Sequence, residues 1–180
     1  MEKEENAIIL DYLPYGYPLE KKMMPLAQAI GTKFFTLLQL TPRRGVKLDI
    51  NEVVYIGEGK RDKIYFIQGR LPENKLTETA RAQLHTFVEK HILENEQKFV
   101  SFFNNAEPIN TRMHQLELLP GFGKKHTEAI MKERSVKPFE SLDDLKKRVL
   151  NLPDPKKAIE KRMVEEITQK EKYNLFLMRP

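Results

Sequence analysis

Along the first seventy residues the apolar positions come in short runs, each stopped by turn-forming residues. Ala7-Ile8-Ile9-Leu10-Asp11-Tyr12-Leu13 reads as a strand halted by Pro14-Tyr15-Gly16-Tyr17-Pro18. Phe34-Phe35-Thr36-Leu37-Leu38-Gln39-Leu40 reads as another, ended by Pro42-Arg43-Arg44-Gly45. Val53-Val54-Tyr55-Ile56 and Ile64-Tyr65-Phe66-Ile67 are rich in β-branched and aromatic residues, and are expected to pair as a hairpin across Gly57–Lys63. Short strands with no helices between them suggest a small antiparallel barrel.

The spacing changes after Leu71-Pro72. Thr77 is a suitable N-cap for a helix whose apolar positions are Ala80, Leu84, Phe87, Val88 and Ile92, three to four residues apart. Phe99, Val100, Phe102 and Phe103 continue an apolar face that Asn104-Asn105 and Pro108 end. From Pro108 on, every pattern is helical. A first helix is expected through Met113 and Leu116 as far as Gly121. A second follows Gly123, a third is capped by Ser141 with Asp144 three residues on, and a fourth follows Pro155 with Ile159, Met163 and Ile167 as its stripe. The expected fold class is α+β, divided as 1–72 barrel, 73–107 connecting helices, 108–170 all-α module and 171–180 tail.

Composition narrows the chemistry. The 180 residues carry a net charge of +5 at pH 7 and contain no cysteine. Disulfides, thiolate metal sites and cysteine nucleophiles are excluded, and the charge leans mildly towards an anionic partner. The acidic start Met1-Glu2-Lys3-Glu4-Glu5 is unlike a signal peptide, and no apolar run would span a bilayer. A cytoplasmic protein that meets no membrane is expected. His85, His91, His114 and His126 show no metal-ligand spacing, so no metal or other cofactor is expected.

The most informative stretch is Leu119-Pro120-Gly121-Phe122-Gly123-Lys124-Lys125, an apolar–Gly–apolar–Gly turn between two helical patterns: a helix-hairpin-helix. Glycine takes positive φ without strain and lets another backbone approach. The free N–H groups opening the second helix favour an anion, and Lys124 and Lys125 add full charges. Neutral donors beside lysines suit a nucleic-acid phosphate and carry no base information. Leu152-Pro153-Asp154-Pro155 holds the place of a second hairpin but lacks both glycines, so it is expected to pack against the first and bind phosphate weakly or not at all.

These paired hairpins, with Pro138-Phe139-Glu140-Ser141-Leu142-Asp143-Asp144-Leu145 after the first, resemble the tandem helix-hairpin-helix domain of DNA-repair and recombination proteins over Thr111–Thr168. The whole arrangement resembles a family of uncharacterised archaeal proteins taken to bind nucleotides or RNA. The run from Ile109 to Gly121 and the Tyr55, Lys60-Arg61 and Tyr65 positions carry that resemblance. It implies an OB-like barrel and nucleic-acid binding, and supplies no reaction. OB-type barrels stack bases on aromatics along a basic groove. The corresponding candidates are Tyr55, Tyr65, Arg43, Arg44, Lys60 and Arg61, with Gly121, Phe122, Gly123, Lys124 and Lys125 in the hairpin. Alternation does not decide which of Tyr65 and Phe66 faces outward, and the barrel aromatics could equally be core.

The expected function is therefore non-catalytic binding of RNA or DNA. A different class, a scaffold whose helical module holds another protein, is also compatible with the modest charge. Base-excision glycosylases carry a similar hairpin with a catalytic aspartate some twenty residues on, where Asp143 and Asp144 stand. Helix N-terminal placement accounts for Asp143, and a glycosylase needs a flipped-base pocket between helical lobes.

Overall fold

A computed structural model describes residues 1–179. By its internal contacts the chain forms two compact units, one of residues 1–86 with the C-terminal segment from 166, the other of residues 87–165.

The first unit is built on five antiparallel strands: β1 (Asn6–Leu13), β2 (Leu26–Gly31), β3 (Leu37–Pro42), β4 (Val53–Tyr55) and β5 (Ile64–Arg70). Their spatial order is β4-β1-β2-β3-β5. Three hairpin-connected strands with the fourth returning beside the first make a Greek key; β5 is added next to β3. The sheet curls into a half-barrel around one apolar interior, to which Ala7, Ile9, Ala27, Ala29, Leu40, Val54 and Ile64 contribute.

Three features differ from the sequence expectation, each for a physical reason. The β4–β5 hairpin does not form: β4 pairs with β1 and β5 with β3, at opposite edges of the sheet. The segment between them joins two edges, with Ile56 N–H donating to Glu5 O (2.7 Å) and Arg43 N–H donating to Lys63 O (2.8 Å). β3 starts at Leu37 and not at Phe34, because Phe34 and Thr36 lie in a turn held from outside. The Glu4 carboxylate, itself buried, accepts the backbone N–H groups of Lys33, Phe34 and Thr36 at 2.9, 2.8 and 3.2 Å. β2, Leu26-Ala27-Gln28-Ala29-Ile30-Gly31, carries no strand signal in the sequence because its alanines have low strand propensity. It is nonetheless a central strand, buried on both faces. Gln28 survives there because it is fully engaged. Its amide donates to Tyr17 Oη (3.1 Å) and Lys75 O (2.7 Å), and its carbonyl accepts Thr77 N–H (3.0 Å).

Helix α1 (Glu78–Glu94) starts where the cap signal put it, with Ala80 N–H donating to Thr77 Oγ1 at 3.0 Å. The second unit contains α2 (Glu96–Asn105), α3 (Lys124–Val136), α4 (Leu142–Arg148) and most of α5 (Pro155–Thr168). The helix expected before the glycines is only a 3-10 turn, Gln115–Leu118. Pro120 lacks an N–H, and His114 caps so short a stretch by accepting Leu116 N–H on Nδ1 (3.1 Å). Phe99, Phe103, Leu116, Ile130, Leu145 and Ile159 are buried in this unit.

Candidate functional site

The Leu119–Lys125 turn leads directly into α3, with Gly123 as its N-cap. The two glycines do different work. Gly121 has φ +84°, a conformation unfavourable for any residue with a Cβ. Space is not its constraint, since a Cβ there would lie 3.5 Å from Pro153 Cγ, an ordinary contact. That proximity places Pro153, in the turn before α5, against Gly121. Gly121→Ala is expected to destabilise the protein by ~1–2 kcal/mol, read by urea unfolding; an unchanged midpoint would mean the turn relaxes freely.

Gly123 is extended, φ −115° and ψ −170°, with no neighbour within 4 Å of a Cβ position. It therefore leaves open space in front of the helix. The Thr127 amide is the first bonded inside the helix, to Gly123 O at 3.1 Å. The amides of Lys124, Lys125 and His126 precede it and belong to the unpaired first turn. Gly123 N–H itself is not free: it donates to His126 Nδ1 at 2.9 Å. Lys124 and Lys125 are exposed. Phe122 is buried against Phe103 with ring centroids 6.2 Å apart, and its N–H closes the turn on Leu119 O (3.0 Å). Phe122 thus anchors the turn and does not present its ring to solvent.

The Leu152–Pro155 turn differs at the start of α5. Asp154 Oδ1 accepts the amides of Lys156 (3.0 Å) and Lys157 (3.3 Å), and Oδ2 lies 3.7 Å from Lys146 Nζ. A carboxylate already occupies the place where an external anion would sit.

Nearby charges sort into structural and available groups. Arg148 is used up: its guanidinium donates to Glu133 O and Lys137 O, both at 2.6 Å, and lies 4.5 Å from the Phe139 ring centroid. Asp144 accepts Glu140 N–H (3.0 Å) and pairs with Arg148 (3.2 Å). The Glu140 bond first, then Arg148, holds its carboxyl below the ordinary aspartate value. Asp143 is exposed at the start of α4, whose Ser141 cap accepts Asp144 N–H at 2.9 Å.

Beside the hairpin, the loop before the 3-10 turn forms a shallow cavity of about 270 Å³ whose wall includes Arg112, His114 and Lys124. His114 was not singled out by sequence, because a histidine without ligand spacing carries no signal. It is 7% exposed. With Nδ1 accepting Leu116 N–H, the proton of the neutral ring sits on Nε2. Burial, then Arg134 nearby, lowers its pKa and favours that neutral form. Nε2 is buried without a hydrogen-bond partner, a situation that costs ~1–3 kcal/mol.

In the barrel, the candidates separate. Tyr55 is 39% exposed, but its hydroxyl accepts Gly59 N–H (3.0 Å) and its ring leaves no room for a Cβ on Gly57. It packs its own loop. Tyr65 and Phe66 are 68% and 57% exposed. Both face outward because the register slips between Thr41↔Phe66 and Pro42↔Ile64, making Tyr65 the extra residue of a bulge. Arg43 Nε donates to Arg61 O (2.7 Å) and Arg61 Nε to Gly57 O (2.7 Å), so both have structural partners. Arg44 and Lys60 are exposed. The Arg43–Lys63 backbone bond brings the 43–44 turn to the start of β5, beside Tyr65. Among the described residues no cluster of three or more His, Asp or Glu could hold a metal, and no helix is long and apolar enough to cross a membrane.

The chain matches, over residues 3–178, the family model described as a protein of unknown function, DUF655. It is 42% identical over 179 residues to the uncharacterized protein MJ0038 of Methanocaldococcus jannaschii, covering 98% of this chain and 81% of that protein. The crystal structure of Af1531 from Archaeoglobus fulgidus is similar at a TM-score of 0.80 and 44% identity, over 96% of this chain and 99% of that one. The chain belongs to the DUF655 family.

Proposed function

We propose that this protein binds nucleic acid without catalysis, through sequence-independent phosphate contacts at the first hairpin and an unpaired strand at the barrel. The module is read as a tandem helix-hairpin-helix and the half-barrel as OB-like. The observation that carries the reading is the contrast between two neighbouring helix starts. Asp154 fills one with its own carboxylate, whereas Gly123 leaves the other bare, flanked by Lys124 and Lys125. A helix start with unpaired amides, no capping side chain from its N-cap and two adjacent cations favours an external anion. Phosphodiesters meet that need in any base sequence.

His126 fits the same reading. Its Nδ1 takes up the Gly123 amide, so the three following amides remain the contact set. At the barrel, exposed Tyr65 and Phe66 next to the 43–44 turn offer stacking surfaces beside positive charge, the pairing used to hold single-stranded or structured RNA.

The reading is tested by the salt dependence of binding. Replacing Lys124 and Lys125 together with Ala should weaken binding to all duplex sequences about equally. The slope of log K against log salt should flatten by ~0.9 per lost phosphate contact, or ~0.7 on single strands. A double variant whose slope equals the wild type's would remove these lysines from the interface. A stable, salt-insensitive protein partner with no retention on heparin would replace the reading by a scaffold.

A further inference from the structure

We infer that the first unit holds a site for a small monocarboxylate with an apolar body, its hydrocarbon in a cavity of the half-barrel and its carboxylate on Arg61. The site goes beyond nucleic-acid binding and does not depend on it. β4 and β5 stand at opposite edges of the sheet without pairing, so the interior is left unsealed between them. A cavity of about 370 Å³ lies between the loop that leaves β4 and residues of β3 and β5, within the size range of small-molecule sites. Leu38 and Ile67 pack on the apolar interior but are only half-buried, so their remaining surface supplies the floor. Phe34 and Ile56, both buried, stand behind it. The walls are fixed from outside, by the Glu4 carboxylate on the 33–36 turn and by Ile56 N–H on Glu5 O. The charges on the wall are accounted for except one. Glu2 pairs with Lys33 (2.7 Å), Glu58 with Lys3 (3.5 Å), and Glu4 carries its three amides. Arg61 is half-buried, with its Nε pinned to Gly57 O and its own carbonyl to Arg43 Nε, both at 2.7 Å. Its two terminal nitrogens have no acceptor among the described residues. They are donors held in a fixed fork, which matches the two oxygens of a carboxylate. A phosphate dianion would meet one uncompensated cation amid three carboxylates. A nucleobase would bury several edge donors and acceptors against hydrocarbon, at a cost. A hydrocarbon body leaves nothing unpaired, and each methylene buried strengthens binding.

The test titrates the full-length protein separately with hexanoate, octanoate, octanol and adenosine 5′-monophosphate, read by NMR at the methyl signals of Leu38 and Ile67. Octanoate is expected to shift both methyls. Affinity should rise about fourfold per added methylene, roughly fifteenfold from hexanoate to octanoate. Octanol, with the same body and no charge, should bind about tenfold more weakly. Arg61→Gln should lower octanoate affinity by about the same factor and leave octanol binding unchanged, which also reports that the cavity persists. Absence of any shift at either methyl overturns the site outright. Equal affinity for acid and alcohol, wild-type octanoate affinity in Arg61→Gln, or loss of both ligands in that variant overturns the carboxylate contact. Equal affinity for hexanoate and octanoate overturns the apolar body. Monophosphate binding at these methyls more tightly than octanoate assigns the cavity to a nucleotide and overturns the ligand class. Octanoate shifts spread evenly over the exposed Tyr65 and Phe66 signals as well are a surfactant effect and overturn the site.

Discussion

Gly123→Asp is expected to abolish duplex binding and leave the protein as stable as before. The substitution copies into the first hairpin what Asp154 does in the second. At φ −115° and ψ −170°, position 123 has the extended backbone of an N-cap, and a Cβ there meets nothing within 4 Å. An aspartate can therefore enter without strain and accept amides of the first turn, as Asp154 accepts those of Lys156 and Lys157. Glycine and aspartate differ as caps by only a few tenths of a kcal/mol, so the unfolding midpoint should hold or rise slightly. Binding should suffer twice. The amides lose their external acceptor, at ~1.5–3 kcal/mol for each bond to a charged group, and a fixed carboxylate repels the phosphate. Two lost amide contacts alone amount to ~3 kcal/mol or more, roughly a 100-fold fall in affinity. The reciprocal change, Asp154→Ala, should cost about 1 kcal/mol of stability and leave affinity unchanged. Wild-type affinity in Gly123→Asp, read by titration with a labelled duplex at fixed salt, would end the phosphate reading of the first hairpin. A large loss in Asp154→Ala would move the site to the second.

Local chemistry in this chain is legible from sequence where a few consecutive residues decide it. Thr77 and Ser141 cap the helices that follow them, and Gly121 takes the positive φ its turn needs. Pairing between distant residues is another matter. β4 and β5 look like one hairpin because they are eight residues apart and similar in composition, yet each pairs with an earlier strand. That choice depends on the apolar interior shared by Ala7, Ala29, Val54 and Ile64, which no local window contains. β2 is hidden in the same way: its alanines are poor strand formers, yet Ala27 and Ala29 line the interior of the curled sheet. In the candidate site, the glycines and lysines stood out, whereas the work of His114, His126 and Asp154 depends on which amide each ring or carboxylate accepts. Sequence marks Asp154 as an absence of glycine; its position shows a carboxylate already seated on the helix start.

The barrel prediction turns on the bulge in β5. Strict alternation would put one of Tyr65 and Phe66 inside, and the extra residue at Tyr65 instead leaves both rings exposed on an edge strand. An edge strand with two bare aromatics is an aggregation hazard unless something covers it. Bases of an unpaired strand are the proposed cover, since every base has a face to stack and Arg44 lies in the adjoining turn. Tyr65→Ala and Phe66→Ala should each lose ~1–3 kcal/mol for single-stranded RNA or DNA. The pair together should lose about a hundredfold or more if both stack. Being exposed, neither ring supports the core, so unfolding midpoints should move by no more than ~0.5 kcal/mol. Tyr55→Ala should behave oppositely, because its ring fills the space over Gly57 and its hydroxyl holds Gly59 N–H. It should lower stability and, apart from that loss, leave single-strand affinity close to wild type. Duplex affinity through the hairpin should be unaffected in all three. The measurement is fluorescence anisotropy on a short unpaired oligonucleotide and on a duplex, paired with urea unfolding of each variant. Unchanged single-strand affinity in the Tyr65, Phe66 double variant would remove the barrel from the nucleic-acid interface and leave the hairpin to act alone.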